Sequence, residues 1–430
     1  MKSCLGKILR VDLTTGEIRV ERIPESVYDA VLSGKGLGAW YLYKNIPEGA
    51  DPLGPENILG FVSGALTGTG AFFTGRWTVV CKSPLTGGWG DANCGGVFAP
   101  AIKQCGYDGI FFSGVSDHPV YLWCDNSGAE LRDATAYWGM DATEAEETIS
   151  RDARRKKKPC VALIGQAGEK LSLISGICNE GGRIAARSGV GAVMGSKRLK
   201  AVVLAGTKPI PCADRERVFA LSRKLGTTLN KMSLPSGMGG MLGFGGTMLG
   251  KMPSVPLDGA LTAYLFKEWG TPSNTPMAIT SGDGPIQNWA GGPKDVPGAV
   301  RAYNPERINR IEFQKYHCYS CPMGCGGRLD IKEIAYRGFP ETHKPEYETL
   351  QAFGPLCKNN DLEAVFYINE LLNRAGMDSI SAGNTVAWAI ECYEAGILTQ
   401  EHTGGLELTW GNAPAIIALI ERMIRREGIG

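Results

Sequence analysis

The pattern of apolar residues changes near residue 210, and this change constrains the fold more than any other feature of the chain. Before it, short segments rich in Val, Ile and aromatic residues are separated by turns, which is typical of strands. These segments are KILRVDL, EIRVERI, WTVVCKS, DGIFFSGVS, PVYLWC, CVALIG and LKAVVLAG. After the proline-bearing stretch GTKPIPCAD at 206–214, helical periodicity takes over. We therefore predict an α+β fold, with a sheet-rich first part followed by mainly helical domains.

Length and helix signals refine this division. At 430 residues the chain is too long for one hydrophobic core. We predict a β-rich domain at 1–210, a mainly helical domain at 211–412 and the start of a further helical domain at 413–430. The clearest helix is DLEAVFYINELLNRAG, with Asp361 as its N-cap and Gly376 as its C-cap. Further helices are predicted in VAWAIECYEAG, in APAIIALIERMIRREG and, within the first part, from Val97 to Gln104 with an end at Gly106.

Glycine is unusually frequent, at 59 of 430 residues, against a usual share of about 7%. Glycines among apolar strand-like segments indicate turns and close backbone approaches, as a large buried cofactor would require. The stretch 234–298 is especially rich in Gly, Pro and Met and begins LPSGMGGMLGFGGTMLGKMP. It matches neither a phosphate-binding loop nor a dinucleotide fingerprint. We predict a flexible or cofactor-covering loop there.

Charge and hydropathy exclude several classes of partner. Lys plus Arg (45) and Asp plus Glu (44) nearly cancel, which argues against a nucleic acid or an anionic membrane as partner. No apolar run reaches the roughly 18 to 20 residues of a membrane helix, and MKSCLGKILRVDL lacks a signal-peptide core. We therefore expect a cytoplasmic protein without a membrane span. Thirteen cysteines are too sparse here for a disulfide scaffold.

The stretch HCYSCPMGCGG, at 317–327, places Cys318, Cys321 and Cys325 in a C-x2-C-x3-C run. A zinc ribbon would require a second C-x2-C or a close pair of histidines, and His343 downstream has no histidine beside it. An iron–sulfur cluster accepts a remote fourth cysteine, and the neighbouring glycines free backbone N–H groups for cluster sulfurs. The spacing favours iron–sulfur and leaves zinc or unliganded cysteines open.

Five segments, in their order and separations, resemble the aldehyde ferredoxin oxidoreductase family of tungsten bis-pyranopterin enzymes. They are GRWTVVCKSPLTGGWGDANCGGVFAPAIKQCGYDGIFFSG, EGGRIAARSGVGAVMGSKRLKAVV, HCYSCPMGC, PEYETL and GMDSIS. The resemblance extends from KILRVDLTTGEI to the last predicted helix. Several ordered motifs are far more specific than any one of them.

This resemblance implies an N-terminal double β-sheet domain that carries a tungsten bis-pyranopterin (molybdopterin) cofactor, enclosed by helical domains. The sequence does not distinguish tungsten from molybdenum. Mg²⁺ bridging the pterin phosphates would fit the same family. Phosphates and polar rings need cations, amides and backbone N–H groups. At the matching positions the implied cofactor-binding residues are Arg76, Asn93, Gly95, Gly96, Arg183, Arg187 and Asp378, the last as acceptor for a pterin ring. Taken singly, Arg76 or Arg187 would fit a surface ion pair.

The resemblance also implies that Cys318, Cys321 and Cys325 are ligands of a [4Fe–4S] cluster. Glu346 and Glu348 of PEYETL match the region that supplies the catalytic carboxylate. Residues two apart do not share one helical face, so at most one of them would point at the substrate, and we favour Glu346.

The family's fourth cysteine and its catalytic histidine would lie further downstream. Cys357 and Cys392 match no ligand motif, and His402 is a weak substitute for the histidine. We expect a C-terminally truncated piece of a longer protein, or a short form completed by a partner subunit.

The function that the resemblance implies is oxidation of aldehydes to carboxylic acids, with electrons leaving through the cluster to ferredoxin or an electron-transfer subunit. One alternative is the catalytic subunit of a tungsten-dependent aromatic acyl-CoA reductase of the benzoyl-CoA type. The other is a non-catalytic zinc or scaffold protein. A homodimer and a hetero-oligomer are both compatible with the family.

Overall fold

The computed structural model describes residues 3–230, 241–249 and 259–430 of the chain. These residues form two compact units. Unit 1 comprises Met1–Lys224, Cys318–Pro322 and Asn373–Asp378, and unit 2 comprises Leu225–His317, Met323–Leu372 and Ser379–Gly430. The chain therefore enters unit 1 three times.

Unit 1 contains two six-stranded sheets, which confirms the predicted double β-sheet. The first sheet has the order β2-β1-β6-β3-β4-β5 and contains β1 (Lys7–Asp12), β2 (Ile18–Arg22), β3 (Leu59–Ser63), β4 (Trp77–Lys82), β5 (Trp89–Cys94) and β6 (Gly109–Ser113). The second has the order β11-β10-β9-β12-β7-β8 and contains β7 (Val120–Cys124), β8 (Ala129–Asp133), β9 (Cys160–Leu163), β10 (Ile177–Asn179), β11 (Arg183–Ala185) and β12 (Leu199–Leu204). Each sheet has one parallel pair, β1 with β6 and β7 with β12, and its other pairs are antiparallel.

One apolar core joins the two sheets of unit 1. Phe61 and Trp77 of the first sheet, Leu122 and Val202 of the second, and Phe98 belong to a single cluster of buried side chains. The helices of this part of the chain are α1 (Glu25–Val31), α2 (Lys35–Asn45), α3 (Phe98–Cys105), α4 (Ala142–Asp152), α5 (Gln166–Glu169), α6 (Val190–Ser196) and α7 (Arg215–Leu229), which continues into unit 2. Most of these strands are rich in β-branched and aromatic residues because they are buried, whereas the edge strands β2 and β8 have no buried residue.

Helix α3 agrees with its prediction. It begins after Val97 and ends at Gly106, whose φ of 102° lies in the left-handed region that favours glycine.

Unit 2 is mainly helical, with one small sheet. Strands β13 (Glu312–Tyr316), β14 (Gly326–Asp330) and β15 (Glu341–His343) pair antiparallel in that order. The helices are α8 (Leu242–Leu249), α9 (Gly259–Trp269), α10 (Asn274–Ser281), α11 (Ala299–Ala302), α12 (Pro305–Asn309), α13 (Tyr347–Phe353), α14 (Leu362–Ala375), whose last residues belong to unit 1, α15 (Ser379–Glu394) and α16 (Ala413–Arg425). With unit 1, this confirms the α+β class.

Helix α14 begins and ends as predicted. The Asp361 Oδ1 accepts from the backbone N of Glu363 at 3.0 Å and of Ala364 at 3.1 Å, so its side chain caps the helix. Gly376 follows the helix with a φ of 71°. The short polar N-cap and the glycine C-cap were sufficient to locate both ends.

The loop prediction for 234–298 is wrong where the structure describes this stretch. Residues 234–240 and 250–258 of it lie outside the described residues. Most of the remainder forms α8, α9 and α10, and Ala263, Leu265 and Trp269 of α9 are buried. Gly270 directly follows α9 and Gly282 directly follows α10, and both terminate their helices with φ values of 72° and 78°.

Among the helices of the described part of the chain, none is long and apolar enough to cross a membrane.

Candidate cofactor site

Arg76 and Asn93 lie together at one edge of the first sheet. Arg76 directly precedes β4, Asn93 lies on β5, and antiparallel pairing sets Thr78 opposite Asn93. The Arg76 Nε donates to the Asn93 Oδ1 at 2.5 Å, and its Nη2 donates to the Asn93 carbonyl at 3.2 Å. Both residues are exposed, so the pair presents a cation and an amide at the surface of unit 1.

Cys318 and Arg183 meet beside Gly95. The Arg183 Nη1 donates to the Cys318 Sγ at 3.2 Å. A Cβ on Gly95 would lie 2.5 Å from that sulfur and 3.0 Å from the Arg183 Nη1. Glycine is therefore required here by close approach, and three of the predicted residues occupy one place in unit 1.

The backbone of the cysteine run is fixed in the same place. The Tyr319 N donates to the Gly96 carbonyl at 3.0 Å, and the Phe73 N donates to the Ser320 carbonyl at 3.0 Å. A Cβ on Gly75 would lie 2.7 Å from the Tyr319 carbonyl oxygen. Two hydrogen bonds and a glycine contact thus hold residues 318–320 against the segments on either side of β4 and β5.

Glu180 supports this arrangement and was missed by the sequence analysis. Its Oε2 accepts from the Arg183 Nε at 2.9 Å, and its Oε1 accepts from the Val97 N at 2.5 Å. A Cβ on Gly96, whose φ is 103°, would lie 2.4 Å from that Oε1. Glu180 thus connects Arg183 to the start of α3. The available sequence signal was a carboxylate close to Arg183 in the same glycine-rich segment.

The other two cysteines of the run are placed less specifically. The Cys321 N donates to the Cys318 carbonyl at 3.1 Å, and all three cysteines are partly exposed. Cys318 and Cys321 belong to unit 1 and Cys325 to unit 2. Within residues 3–230, 241–249 and 259–430, no three His, Cys, Asp or Glu side chains are grouped closely enough to hold a metal ion. The cluster ligand set remains a prediction.

Arg187 and Asp378 form an ion pair in unit 1. The Arg187 Nη1 donates to the Asp378 Oδ2 at 2.7 Å, and the Asp378 backbone N donates to the Ile174 carbonyl at 2.9 Å. Ser188, which follows Arg187, donates to the Asp91 carbonyl on β5 at 3.0 Å. The pair thus lies on the side of unit 1 that contains β5. Arg187 and Asp378, which were predicted from separate motifs, contact each other directly.

The predicted carboxylates lie in unit 2, at the start of α13. Glu346 precedes the helix and Glu348 lies in its first turn, and both are exposed. The Glu346 Oε2 accepts from the Thr271 Oγ1 at 2.5 Å. Glu346 has an extended backbone and Glu348 has a helical one, so their side chains start from different backbone conformations. Their catalytic role remains a prediction.

The weaker candidates have local explanations. The His402 Nδ1 accepts from the Thr399 N at 3.2 Å, within its own turn. Cys357 is fully buried, its Sγ donates to the Ala352 carbonyl at 3.3 Å, and burial raises the pKa of its thiol to about 12. Cys392 is partly exposed on α15.

The residues gathered in unit 1 fit a cofactor that carries phosphates and polar rings. Arginines supply cations for phosphate, and the Asn93 amide supplies both a donor and an acceptor. The space beside Gly95 excludes even one added carbon next to the Cys318 sulfur. The Arg183 guanidinium lies 3.2 Å from the Cys318 sulfur. A metal-bound thiolate would accept a hydrogen bond from such a donor.

Comparison with known families defines the class. A model of the aldehyde ferredoxin oxidoreductase N-terminal domain matches residues 8–206, and a model of domains 2 and 3 of the same family matches residues 257–430. The chain therefore belongs to the aldehyde ferredoxin oxidoreductase family, which confirms the resemblance inferred from the motifs.

Particular relatives sharpen this assignment. The tungsten-containing aldehyde ferredoxin oxidoreductase of Pyrococcus furiosus is 36% identical over 431 residues, and that of Thermococcus kodakarensis is 35% identical over 431 residues. The WOR-like subunit of an aliphatic sulfonate oxidoreductase from Pyrococcus furiosus is 32% identical over 443 residues. Each alignment covers 99% of this chain and 65% of the relative, so the chain spans about two thirds of the length of these curated relatives.

A solved structure has the same fold. It is a chain in the active-site complex BamBC of benzoyl coenzyme A reductase in complex with 1,5-dienoyl-CoA. The similarity has a TM-score of 0.82 and 29% sequence identity, and it covers 100% of this chain and 61% of that one.

Proposed function

We propose that this chain carries the pterin site of a tungsten oxidoreductase that converts aldehydes to carboxylic acids. The single observation that supports this most is the contact between the Arg183 Nη1 and the Cys318 Sγ at 3.2 Å. It joins the glycine-rich segment, which the family uses for the pterin, to the cysteine run, which the family uses for its cluster. A site that links the two is suited to moving electrons from one to the other.

Oxidation of an aldehyde to an acid takes an oxygen from water and releases two protons and two electrons. When bound, the tungsten bis-pyranopterin, with its Mg²⁺, would supply the two-electron acceptor, and the [4Fe–4S] cluster would supply a one-electron exit. Arg76, Arg183 and Asn93 would hold the phosphates and ring edges. Asp378 would accept from ring N–H donors, and Arg187 holds its carboxylate in place.

The carboxylates near α13 are the proposed proton acceptors of the reaction. Glu346 accepts the proton from the attacking water at a carboxylate oxygen, and Glu348 is the second candidate for this role. Cys318, Cys321 and Cys325 are the proposed cluster ligands, with ferredoxin or an electron-transfer subunit as the acceptor.

A second function has its own support. The similarity to a chain of the benzoyl coenzyme A reductase complex covers the whole of this chain with a TM-score of 0.82. The same residues would then deliver electrons to an aromatic acyl-CoA, with the electrons travelling in the opposite direction. The two functions share the cofactors and differ in substrate.

The composition of the anaerobically purified protein tests both proposals against a non-catalytic scaffold. We expect about one tungsten, about two pterins and about four irons per chain. Cys318→Ser should lower the iron content, whereas Cys392→Ser, a partly exposed cysteine on α15, should leave it unchanged. Zinc in place of iron, without pterin, would contradict both enzymatic functions.

Substrate tests then separate the two enzymes. With benzaldehyde as the probe, the aldehyde oxidoreductase reduces benzyl viologen at a rate that depends on the aldehyde. The acyl-CoA reductase is inactive with benzaldehyde and, given a strong reductant, consumes benzoyl-CoA. Activity with neither probe in a fully loaded enzyme would leave the family assignment intact and remove both substrate proposals.

A further inference from the structure

The turn that follows α9 contacts two functional segments of unit 2. Gly270 has a φ of 72°, and a Cβ there would lie 2.5 Å from the carbonyl oxygen of Cys325. The next residue, Thr271, bonds to Glu346. Two adjacent residues thus touch the third cysteine of the run and the candidate catalytic carboxylate.

The hydrogen bonds of Thr271 fix the direction of its proton. The Thr271 Oγ1 accepts from the Tyr347 N at 3.0 Å and lies 2.5 Å from the Glu346 Oε2. A backbone N–H can only donate, so the Tyr347 bond occupies a lone pair of the hydroxyl. The single hydroxyl proton is thereby left for Glu346, and an ionised carboxylate is a strong acceptor for it.

The surroundings make Thr271 a rigid support. Pro272 and Ser273 are buried, and the Ser273 Oγ donates to the Gly270 carbonyl at 2.9 Å. Threonine is also restricted at χ1 because it is β-branched. The hydroxyl is therefore held on a fixed backbone, whereas Glu346 is an exposed side chain with three rotatable bonds.

Glu346 is in the N-cap position of α13, yet its carboxylate makes no capping bond to that helix. Instead, the first N–H of the helix, that of Tyr347, donates to the Thr271 Oγ1. The threonine hydroxyl thus takes the helix N–H and limits where the carboxylate can point.

We infer that Thr271 is a positioning residue for Glu346, an inference that rests on the catalytic role proposed for Glu346. Thr271 takes no part in the chemistry and holds one carboxylate oxygen of Glu346, which fixes the direction of the carboxylate. A small displacement of a catalytic base costs rate more than it costs substrate affinity. Thr271 therefore controls kcat through Glu346.

The test is a double-mutant cycle on the holoenzyme, with benzaldehyde and benzyl viologen as probes. We expect Thr271→Val to lower kcat roughly 10- to 100-fold with little change in KM, and Thr271→Ser to restore most of it. In a Glu346→Gln background, Thr271→Val should change kcat less than twofold, because its partner has been altered. Equal loss of kcat from Thr271→Val in both backgrounds would overturn the inference.

Thr275→Val is the matched control. Thr275 lies four residues further on, is fully buried, and its Oγ1 has no hydrogen-bond partner. The same chemical change there removes no bond to Glu346, so kcat should stay at the wild-type level. A loss of kcat in Thr275→Val as large as that in Thr271→Val would mean that packing alone is responsible.

Thermal unfolding separates the inference from the proposed function. Thr271→Val and Glu346→Ala should each lower the unfolding midpoint by roughly 2–4 °C, and the double variant should fall by less than their sum. Additive shifts would contradict the bond itself. If the shifts are non-additive but Glu346→Gln keeps the wild-type kcat, the bond stands, and the catalytic role of Glu346 is what fails, taking the control of kcat with it.

Discussion

The Arg187 guanidinium donates to the Asp378 carboxylate at 2.7 Å, although 191 positions of sequence separate the two residues. The Asp378 side chain is 3% exposed and the Arg187 side chain is 56% exposed. The carboxylate is therefore almost fully removed from water, and its cation remains accessible to solvent or to a cofactor. A buried carboxylate needs such a partner because an unpaired buried charge is costly.

Replacing Arg187 by Met should leave Asp378 without this partner. We expect the free energy of unfolding to fall by about 1–2 kcal/mol, a moderate loss because solvent screens the exposed arginine. Chemical denaturation measures it. The control is Arg151→Met, since the Arg151–Asp152 pair is 3.8 Å long and exposed on both sides, and it should change stability by less than about 0.5 kcal/mol. Equal losses in both variants would argue against a special role for Asp378.

Gly95→Ala should disturb the sulfur of Cys318. The added carbon would lie 2.5 Å from the Sγ, so either the cysteine or the strand end must move. We expect less iron per chain and a weaker visible absorption band in the anaerobically purified protein. Gly88→Ala is the matched control, because its nearest neighbour would be the Thr86 Oγ1 at 4.0 Å. Wild-type iron content in Gly95→Ala would contradict the predicted role of Cys318.

Gly270→Ala should be far more damaging than Gly282→Ala. Both glycines have φ values in the left-handed region, 72° and 78°, so both substitutions carry the strain of about 1 kcal/mol that alanine meets there. Only the Gly270 Cβ meets another atom, the Cys325 carbonyl oxygen, and nothing lies within 4 Å of the Gly282 position. Thermal unfolding of the two variants isolates the cost of that contact. Similar midpoints would show that the turn can move away from Cys325.

Lys197 should make stability depend on pH. Its side chain is fully buried, its Nζ donates to the Gly114 carbonyl at 3.1 Å, and burial lowers its pKa from the ordinary 10.5 to about 8. Between these values the unfolded chain binds more protons than the folded chain, so stability rises as the pH rises. From pH 7 to 9.5 this contribution amounts to about 2 kcal/mol.

The variant Lys197→Met removes this titration. We expect wild type to gain stability relative to Lys197→Met between pH 7 and 9.5, as measured by denaturant unfolding at each pH. The exposed Lys156 provides the comparison, and Lys156→Met should follow the wild-type pH dependence. A constant difference between wild type and Lys197→Met across this range would mean that Lys197 does not titrate there.

Local patterns predicted the secondary structure wherever a segment carried its own end signals. Helix α14 is bounded by Asp361 and Gly376, and α3 ends at Gly106, as the sequence indicated. In 234–298 the same reasoning failed, since abundant glycine, as in Gly270 and Gly282, was interpreted as a loop. These glycines end helices, and the helices form because tertiary burial, as of Trp269, outweighs weak local propensity.

The site was predictable only through the ordered motifs. Spacing alone left zinc and iron–sulfur both open for Cys318, and no local rule connects that cysteine to Arg183, 135 positions earlier. Thr271 carries no sequence signal at all, because its role depends on Glu346, 75 positions away. Contacts of this kind are set by the tertiary fold. The predicted domain boundaries at 210 and 412 remain predictions.

Because Cys318–Pro322 and Asn373–Asp378 are parts of unit 1, that unit cannot be completed as it leaves the ribosome. Roughly 150 residues must still be synthesised after the sheets have emerged, which takes on the order of 10 s at usual elongation rates. Until then Arg187 lacks Asp378, and Arg183 lacks Cys318 for most of that time. The sheets therefore lack these two contacts until synthesis has passed residue 378, and a cofactor that needs the complete set of these residues would bind late in the biogenesis of this protein.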